Sequence, residues 1–522
     1  MEIVNNKAIV ITTRRPNLVI ECIHKSEIIE TNGDLHKVVV RWGLEEAQAL
    51  SKLGIKNVPS PIQRDYKWPG LYKPMDHQKE TANFLTLNQR AFCFNEQGTG
   101  KTASAIWAAD YLIETNQVFR VLIICPLSIM QSAWQADLFK FAMHRKVGIA
   151  YGSKDKRKAV IESDAEFVII NYDGVDIVAD DIAKQNFDLI IIDEANAYKT
   201  ITTKRWKTLN RILTPRTWVW MMTGTPAAQS PTDAFGLAKM VVPDNVPRFF
   251  GGFRDQTMVQ ITKFKWLPKP DSDRTVFTAL QPAIRFKKED CLDLPEVTHV
   301  FRDAPLTAQQ TKYYKTLRDE YLMAADGEEV SAVNAAVKIN KLLQISGGAV
   351  YSDTGAVVEF DVSNRLRVIE EVIEETIHKV LVFVPFTHTI ELLKTHLRGA
   401  GITCEVINGQ VPVNKRTEIF KQFQEQTNPK VLIIQPQAAA HGVTLTAADT
   451  IIWYAPVTSI ETYLQANARI DRQGQKNAMT IVHIKGSPVE TKLYHMLQNK
   501  LDVHTKIIDL YRQEVDNKEL TE

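Results

Sequence analysis

The stretch Cys93-Phe94-Asn95-Glu96-Gln97-Gly98-Thr99-Gly100-Lys101-Thr102 decides the fold of this chain. An apolar run over residues 91–94 stops at a glycine-spaced loop, and residues 103–113 then have a helix-like composition. A strand, a loop and a helix in this order are what a phosphate-binding loop requires. Glycines let backbone N–H groups approach an anion closely, and the helix N-terminus adds a favourable dipole. The stretch therefore predicts a nucleotide site formed by Gln97, Gly98, Thr99, Gly100, Lys101 and Thr102.

Within this site the lysine and the threonine have separate predicted roles. Lys101 is expected to reach the β- and γ-phosphates, and the Thr102 hydroxyl is expected to hold Mg²⁺. The first glycine of the G-x-x-x-x-G-K-[ST] pattern is replaced by Asn95. A glycine-rich turn before a helix is often only a turn, so the rest of the chain has to support the interpretation.

The bulk composition is that of an ordinary globular protein. With 522 residues, the chain is too long to fold around a single hydrophobic core, and two to four domains are expected. The net charge of +2 means that any nucleic-acid surface is a local patch. The five cysteines contain no C-x-x-C pair, which favours buried, reduced thiols such as Cys93 and Cys125 over a metal site or a disulfide. The sequence contains no signal-peptide pattern and no apolar run near the ~20 residues of a membrane span, so we expect a cytoplasmic protein without a membrane partner.

Residues 1–70 are predicted to form a small N-terminal module. Residues 7–13, 17–24 and 35–42 have strand composition, and residues 44–53 have helix composition. A proline-punctuated linker follows. The module contains no catalytic spacing, and both a structural cap and a substrate-binding role stay open.

From residue 75 onward, apolar strands alternate with amphipathic helices, which is typical of a parallel α/β sheet. The predicted strands are 91–94, 121–125, 167–171, 189–192 and 218–222. Each strand ends at a polar or small group, and ligands of open α/β sheets bind beyond the carboxyl ends of the strands. The fourth strand delivers Asp193 and Glu194 at its tip. In a nucleoside triphosphatase the first holds Mg²⁺ and the second polarises the attacking water, whereas an acidic pair at a strand end is also common without such a role.

Residues 243–305 interrupt this alternation. Between residues 254 and 288, eight basic residues stand against three acidic ones and are interleaved with aromatic residues. Such an insertion suits a nucleic-acid backbone, and a solvated loop explains it almost as well. Helical segments are predicted over residues 307–325 and 330–345.

A second α/β block is predicted over residues 364–484, with strands at 380–384, 404–407, 431–434, 450–454 and 480–484. It contains no phosphate loop of its own. On a helix, Gln465, Arg469 and Arg472 would share one face, either as a surface ion-pair stripe or as arginine fingers for the γ-phosphate. Residues 486–511 are predicted to form an amphipathic helix that braces the core through Val489, Leu493, Met496, Leu497 and Leu501.

The order of these motifs resembles that of superfamily 2 helicases, and within them the Swi/Snf-like double-stranded-DNA translocases. The resemblance covers residues 75–508. In the first block its motifs are His77-Gln78, the loop 95–102, residues 125–128 with Trp134, Asn171-Tyr172, residues 193–196 with Lys199, and residues 223–226. Further along, its motifs are residues 280–288, which resemble the segment linking the lobes, residues 442–445, and residues 465–475.

The resemblance implies two RecA-like parallel-sheet lobes with a helical insertion between them and a small N-terminal β-rich module. The expected bounds are 1–70 for the module, 71–242 for the first lobe, 243–362 for the insertion and linker, 363–485 for the second lobe, and 486–522 for the bracing helix and tail. The implied activity is ATP-dependent movement along duplex or branched DNA, with ATP and Mg²⁺ as cofactors. The protein is expected to be a monomer, and the existence of a protein partner stays open.

The resemblance also implies roles for single residues. Gln78 would sense adenine, Asp193 with Thr102 would hold the metal, and Glu194, Arg469 and Arg472 would be catalytic. Hydrolysis would be coupled to DNA by Thr223, Thr225 and Gln465, and the DNA backbone would be gripped by Asn171, Lys199, His441 and Gly442.

Three alternative functions stay open from the sequence: a conventional strand-separating helicase, the motor subunit of a restriction or repair complex, and a non-hydrolysing DNA-binding scaffold. The sequence departs from the family pattern at Asn95, where Asp is usual, at Asn196, where His or Gln is commoner, and at Thr446. A chain this compact is similar to stand-alone members from bacteria and their phages.

Overall fold

The computed structural model describes residues 1–227, 230–261, 266–325, 332–351, 357–438 and 443–497. The chain divides into two compact units, of which the first contains Met1–Cys291 and the second begins at Leu292. Among the described helices, none combines the length and the apolar character needed to cross a membrane.

The N-terminal module is a four-stranded antiparallel sheet in the order β1-β2-β4-β3. Its strands are Glu2–Val4 (β1), Ala8–Thr13 (β2), Ser26–Asn32 (β3) and Leu35–Arg41 (β4). The strand predicted over residues 17–24 is wrong, because Pro16–Cys22 is a helix with proline in its first turn. Proline suits that position, and Val19 and Ile23, four residues apart, are both buried. Strand β3 gives no clear sequence signal because it is mostly polar and exposed.

The module is joined to the rest of the first unit by hydrogen bonds as well as by the chain. The Thr86 hydroxyl donates to the Ser60 hydroxyl of the module at 2.8 Å. Gln48 Nε2 donates to the carbonyl of Thr86, 2.9 Å away, on the helix Asp76–Leu87. Leu87 of that helix also belongs to the apolar core of the module. The module is therefore packed against the helix that precedes the phosphate loop.

A seven-stranded sheet forms the centre of the first unit, in the order β13-β5-β10-β9-β6-β8-β7. Its strands are Arg90–Cys93 (β5), Val121–Cys125 (β6), Val147–Ala150 (β7), Phe167–Asn171 (β8), Leu189–Asp193 (β9), Trp218–Met222 (β10) and Ala283–Ile284 (β13). All its pairings are parallel, and the five predicted strands are confirmed. Strands β7 and β13 were not predicted from the sequence. Strand β7 is only half-buried, and β13 has only two residues.

The strands of this sheet are buried on both faces. In β5, Phe92 belongs to one apolar core and Cys93 to the other, as expected for a parallel sheet covered by helices. Burial raises the pKa of the Cys93 thiol to about 11, and Cys125 is buried as well. The prediction of buried, reduced thiols is confirmed for these two residues.

The helices of the first unit surround the two sheets. They are Pro16–Cys22, Leu44–Lys52, Ile62–Asp65, Asp76–Leu87, Lys101–Glu114, Ala136–Phe141, Lys154–Ile161, Tyr172–Ile177, Ala179–Lys184, Lys204–Ile212, Ala234–Val241, Phe250–Thr257, Ser272–Ala279 and Lys288–Cys291. A hairpin of Met258–Gln260 (β11) and Trp266–Pro268 (β12) lies in the basic segment.

The second unit has a six-stranded sheet in the order β14-β21-β20-β17-β19-β18. Its strands are Val297–Asp303 (β14), Lys379–Phe383 (β17), Cys404–Ile407 (β18), Val431–Ile434 (β19), Ala448–Trp453 (β20) and Met479–Lys485 (β21), and all pairings are parallel. A two-stranded ribbon of Ala349–Tyr351 (β15) and Val357–Glu359 (β16) precedes β17. The helices are Ala308–Ala325, Ala332–Gly347, Ser363–Glu375, Thr387–Gly399, Val413–Glu425, Ile460–Asn467 and residues 488–497.

The division of the chain differs from the expected domain bounds. The segment 243–362, expected as an insertion, contributes β13 to the first sheet and β14 to the second. The change of unit therefore falls after Cys291, not at 242 or 362. Strand β14 carries no apolar signal because five of its seven residues are exposed.

The C-terminal helix packs as predicted over its first turns. Leu493 and Leu497 are buried, whereas Met496, expected on the same face, is 44% exposed. Leu501 and the predicted continuation to 511 lie outside the described residues.

Candidate nucleotide site

The phosphate loop connects the end of β5 to the helix Lys101–Glu114. Gly98 has a φ of +88° and Gly100 a φ of +82°, both in the left-handed region that favours glycine. A Cβ atom on Gly100 would lie 2.1 Å from Gln78 Nε2, so a larger residue there would have to displace the Gln78 side chain. The two glycines thus give the loop the backbone that anion binding requires.

The Lys101 amine lies over the loop. Its Nζ donates to the carbonyl oxygen of Asn95 at 2.8 Å and to that of Glu96 at 3.3 Å. The Thr99 hydroxyl donates to the same Glu96 carbonyl at 2.7 Å. A cation is thereby held where the loop backbone turns, which is a favourable position for phosphate oxygens.

The helix Asp76–Leu87 contacts this loop through two neighbouring side chains. His77 Nε2 lies 2.8 Å from the Thr99 carbonyl oxygen, and Gln78 Nε2 donates to the same oxygen at 3.2 Å. Gln78 Oε1 accepts the backbone N–H of Met75 at 3.0 Å. Gln78 therefore supports the loop directly, and its role toward adenine stays a prediction.

The acidic pair lies at the same edge of the sheet as the loop. Strand β10 pairs with β5 and β9 so that Met222 is in register with both Cys93 and Asp193. The polar ends of the strands predicted this arrangement. Glu194, the next residue, has a φ of +49°, which is uncommon for a residue other than glycine.

Asp193 is buried and held by two donors. Its Oδ2 accepts the Trp134 indole N–H at 2.9 Å, and its Oδ1 accepts the Glu194 backbone N–H at 3.0 Å. Burial raises the pKa of Asp193, while the nearby charge of Lys101 and the Trp134 hydrogen bond oppose that rise. A fixed, poorly solvated carboxylate beside a hydroxyl-bearing loop fits a divalent cation such as Mg²⁺.

Trp134 and Tyr172 support the acidic pair, and neither has a predicted role of its own. Trp134 belongs to the π-helical turn Met130–Gln135 and is fully buried. The Tyr172 hydroxyl donates to the carbonyl of Asp193 at 2.6 Å. Both were visible in the family motifs, but only the fold shows that they hold the acidic pair.

Residues 223–225, which follow β10, are hydrogen-bonded to the end of β5 and to the acidic segment after β9. The Thr223 backbone N–H donates to the Cys93 carbonyl at 3.1 Å, and the Thr223 hydroxyl accepts the N–H of Thr225 at 3.2 Å. Asn196 Nδ2 donates to the Thr225 carbonyl at 3.1 Å and to its hydroxyl at 3.0 Å. Thr223 and Thr225 thus contact the phosphate-loop strand and the acidic segment, and their coupling role stays a prediction.

Two of the predicted DNA-contacting side chains have partners inside the first unit. Asn171 is 8% exposed, and its Oδ1 accepts Arg157 Nη1 at 2.9 Å. The Lys199 amine lies 3.1 Å from an Asp233 carboxylate oxygen. His441 and Gly442 lie outside the described residues. All four DNA roles stay predictions.

The basic segment 254–288 does not present all of its charges to solvent. The Arg285 side chain is 4% exposed and pairs with Glu96. The Arg254 guanidinium lies 4.0 Å from the Trp266 ring centroid, and Lys269 donates to the Asp255 carbonyl at 2.6 Å. At least Arg285 therefore belongs to the interior of the first unit and not to a DNA-facing patch.

In the second unit, the shared helix face predicted for Gln465, Arg469 and Arg472 is wrong. The helix Ile460–Asn467 ends before both arginines, which lie in the turns that follow. The signal was misleading because a spacing of three or four residues defines a face only while the helix continues.

The two arginines still converge, by tertiary contacts with the segment 443–445. Arg469 is 1% exposed, and its Nη1 donates to the Val443 carbonyl at 3.2 Å. Arg472 Nε donates to the Ala468 carbonyl at 2.6 Å, and its Nη1 donates to the Thr444 hydroxyl at 3.4 Å. Gln465 is buried on the helix, with Nε2 3.3 Å from Glu461 Oε1.

Comparison with known proteins agrees with this site. The SNF2-related domain matches residues 77–347, and the helicase conserved C-terminal domain matches residues 364–474. The fold and these matches thus define a helicase-type protein with two parallel-sheet units. The chain belongs to the SNF2-related family, which confirms the predicted resemblance to Swi/Snf-like superfamily 2 helicases.

Similar proteins come from distant sources. The chain is 24% identical over 493 residues to the chromodomain-helicase-DNA-binding protein 1-like of Mus musculus, covering 88% of this chain and 53% of that protein. It is 25% identical to protein p41 of Acyrthosiphon pisum secondary endosymbiont phage 1, covering 78% of this chain and 90% of that protein. The chain spans about half the length, or less, of the first curated relatives it matches.

A solved structure is also similar, the Sulfolobus solfataricus SWI2/SNF2 ATPase core in complex with double-stranded DNA. The match has a TM-score of 0.42 and 20% identity, and covers 84% of this chain and 94% of that chain.

Proposed function

We propose that the protein is an ATP-dependent translocase that moves along or remodels duplex or branched DNA. One observation carries the proposal: the phosphate loop, the Asp193-Glu194 pair and the Thr223–Thr225 segment meet at one edge of the first sheet. In the family to which the chain belongs, these are the parts that bind ATP and couple its hydrolysis to DNA.

In the proposed site, Lys101, Thr102 and Asp193 hold the nucleotide with Mg²⁺. The metal, when bound, neutralises phosphate charge and polarises the transferred phosphoryl group. Asp193 is suited to this because Trp134 and the Glu194 N–H fix its two oxygens. Glu194 is assigned to orienting the attacking water, and its position directly after Asp193 supports this.

Arg469 and Arg472 are assigned to stabilising the charge that develops on the γ-phosphate. Their guanidinium groups are held near the same short segment, 443–445, which supports a shared task. Arginines in this role contribute mainly to the transition state and little to nucleotide binding.

DNA is proposed as the partner on the basis of the family and of the mouse relative, whose name describes a helicase and DNA-binding protein. The phage protein, of which the chain covers 90%, supports an origin in a bacterial or phage-infected cell. A monomeric state and a cytoplasmic location belong to the same proposal.

The test is the ATPase rate with no nucleic acid and with single-stranded DNA, duplex DNA, a four-way junction and RNA. Strong stimulation by duplex or junction DNA, followed by displacement of a bound triplex strand, is the expected result. Stimulation by single strands alone would replace the proposal with a strand-separating helicase. An ATPase that responds to none of these nucleic acids would overturn it.

A further inference from the structure

The last segment of the first unit runs alongside the phosphate loop. Backbone N–H groups of Phe92, Phe94 and Glu96 donate to the carbonyls of Pro282, Ile284 and Phe286 at 3.0, 2.8 and 3.0 Å. The parallel pairing of β5 with β13 therefore continues past both strands into the loop. This segment, residues 282–288, will be called the exit segment, because the change of unit follows it after Cys291.

Two side chains of the phosphate loop complete this pairing. Asn95 Oδ1 accepts the Phe286 N–H at 2.9 Å, and Glu96 Oε2 accepts the Lys288 N–H at 3.0 Å. Asn95 Nδ2 donates to the Thr81 hydroxyl at 2.8 Å, which joins the helix Asp76–Leu87 to the same contact. The loop is thus bonded on one side to that helix and on the other to the exit segment.

Arg285 is the centre of these contacts. Its Nη2 donates to Glu96 Oε1 at 2.8 Å, and its Nη1 donates to the Phe94 carbonyl at 2.5 Å and to the Gly224 carbonyl at 3.3 Å. Gly224 lies between the coupling residues Thr223 and Thr225. One buried guanidinium therefore bonds the entry of the phosphate loop, the coupling segment and the exit segment.

Glu96 is held at two points. Its backbone carbonyl accepts hydrogen bonds from Lys101 and Thr99, and its carboxylate accepts one from Arg285. Charge-assisted bonds to a forked guanidinium fix both distance and orientation, which lysine cannot reproduce. The backbone position of Glu96, and with it the position of the Lys101 amine, thus depends on Arg285.

We propose that Arg285, acting through Glu96, is a positioning residue that keeps the phosphate loop in its nucleotide-binding conformation and links it to the exit segment. The inference rests on the proposed function, because it concerns the same nucleotide site. It adds that one guanidinium holds the loop, the coupling segment and the exit segment together.

The experiment uses the full chain with Arg285→Lys, Glu96→Gln and the double variant. The matched control is Arg90→Lys, because Arg90 lies at the other end of β5 and donates to the Met240 and Thr214 carbonyls without touching the loop. Four quantities are measured: hydrogen exchange of the loop amides over residues 93–102 without nucleotide, the Kd for a fluorescent ATP analogue, and kcat and KM for ATP.

Arg285→Lys and Glu96→Gln are each expected to speed loop exchange and to raise the Kd and KM about tenfold, with kcat changed less than threefold. The double variant should lose no more than the worse single variant, since both break one contact. Arg90→Lys should leave loop exchange and KM unchanged even if it lowers the Tm.

If the wild type binds nucleotide and Arg285→Lys has the loop exchange and the KM of the wild type, the inference is overturned. The proposed function is not affected by that result. Equal losses in Arg90→Lys would also overturn the inference, because they would show a general loss of packing. A wild-type protein that binds no ATP would instead overturn the proposed function and the inference with it. If Arg285→Lys does not fold, Glu96→Gln gives the same decision, since Glu96 is partly exposed.

Discussion

The central sheets of the two units are built alike but end in different loops. Strand β5 is followed by a loop with Gly98 and Gly100 before the helix Lys101–Glu114, whereas β17 is followed by Val384-Pro385-Phe386 and then the helix Thr387–Gly399. The second connection has no glycine and contains a proline, which lacks an N–H group. It cannot offer the row of backbone donors that an anion needs.

The difference shows that the fold alone does not make a nucleotide site. Strands β5 and β17 are both buried and each pairs in parallel on both sides, so the packing of the two sheets follows the same rules. What separates them is the chemistry of a few residues at the carboxyl edge of the sheet. In the second unit, Arg469 and Arg472 are held by turns near the segment 443–445, and β17 is followed by no glycine-rich loop.

The largest expected effect is in the first unit. Lys101→Ala should lower ATP turnover on the order of a thousandfold, because the amine held over the loop would no longer meet the phosphates. DNA binding, measured by fluorescence anisotropy, should persist. The control Lys158→Ala removes an exposed lysine from another helix and should retain full turnover. Full turnover in Lys101→Ala would show that the loop after β5 does not bind the phosphates, and so does not distinguish the first sheet from the second.

The second expected effect concerns the stability of the second unit. Arg365 and Glu490 form a fully buried ion pair at 2.8 Å, and Glu490 also accepts the N–H groups of Gly486 and Ser487. Glu490→Gln should lower the free energy of unfolding of this unit by about 3 kcal/mol, because the Arg365 charge would stay buried without compensation.

Calorimetry with separate transitions for the two units would measure this effect. Glu375→Gln, which breaks the exposed pair with Arg302, should change the same quantity by less than about 0.5 kcal/mol. Similar losses in both variants would contradict the role of burial.

The third prediction concerns the arginines. Arg472→Ala should lower kcat on the order of a hundredfold while the Kd for ATP changes less than about twofold, because the guanidinium acts on the transition state. Single-turnover ATPase and nucleotide-binding titrations separate the two quantities. Arg367→Ala, an exposed arginine of the same unit, is the control. A change in Kd as large as that in kcat would place Arg472 in ground-state binding.

The fourth prediction is a pH dependence confined to the second unit. His483 is buried against His299, Tyr463 and Tyr494, and burial lowers its pKa to about 4 from an ordinary value of 6.5. Below pH 6.5 the unfolded chain binds a proton that the folded chain does not, so stability falls as the pH falls toward 4. The expected loss is about 2 kcal/mol at pH 5 relative to pH 7.

Calorimetry at both pH values, with His483→Phe beside the wild type, measures this contribution. The variant should lose less stability between pH 7 and pH 5 than the wild type. An identical loss in both would show that another group is responsible.

The smallest effect is expected where the sequence departs from its family. Asn95→Asp should change KM for ATP less than about threefold, because a carboxylate still accepts the Phe286 N–H and the Thr81 hydroxyl can rotate to donate to it. Steady-state ATPase assays measure this, beside the larger changes expected for Glu96→Gln. A tenfold change would show that the amide donor itself is required at this position.

Most of the first sheet and the nucleotide site could be predicted because their signals are local. Buried parallel strands such as Leu189–Asp193 are continuous apolar runs, and the spacing of Gly98, Gly100 and Lys101 between a strand and a helix is typical of a phosphate-binding loop. The sequence did not predict elements whose conformation depends on pairing with residues distant in the chain. Strand Val297–Asp303 is mostly exposed and exists because it pairs with Met479–Lys485.

Residues adjacent in the chain were enough to predict the family, the phosphate-loop motif and the acidic pair that follows. Only the tertiary structure decided which residues hold them. Trp134 meets Asp193 from 59 positions away, and Arg285 meets Glu96 from 189 positions away. The physical reason is that a parallel sheet brings distant strand ends to one edge, and no local periodicity records which side chains meet there.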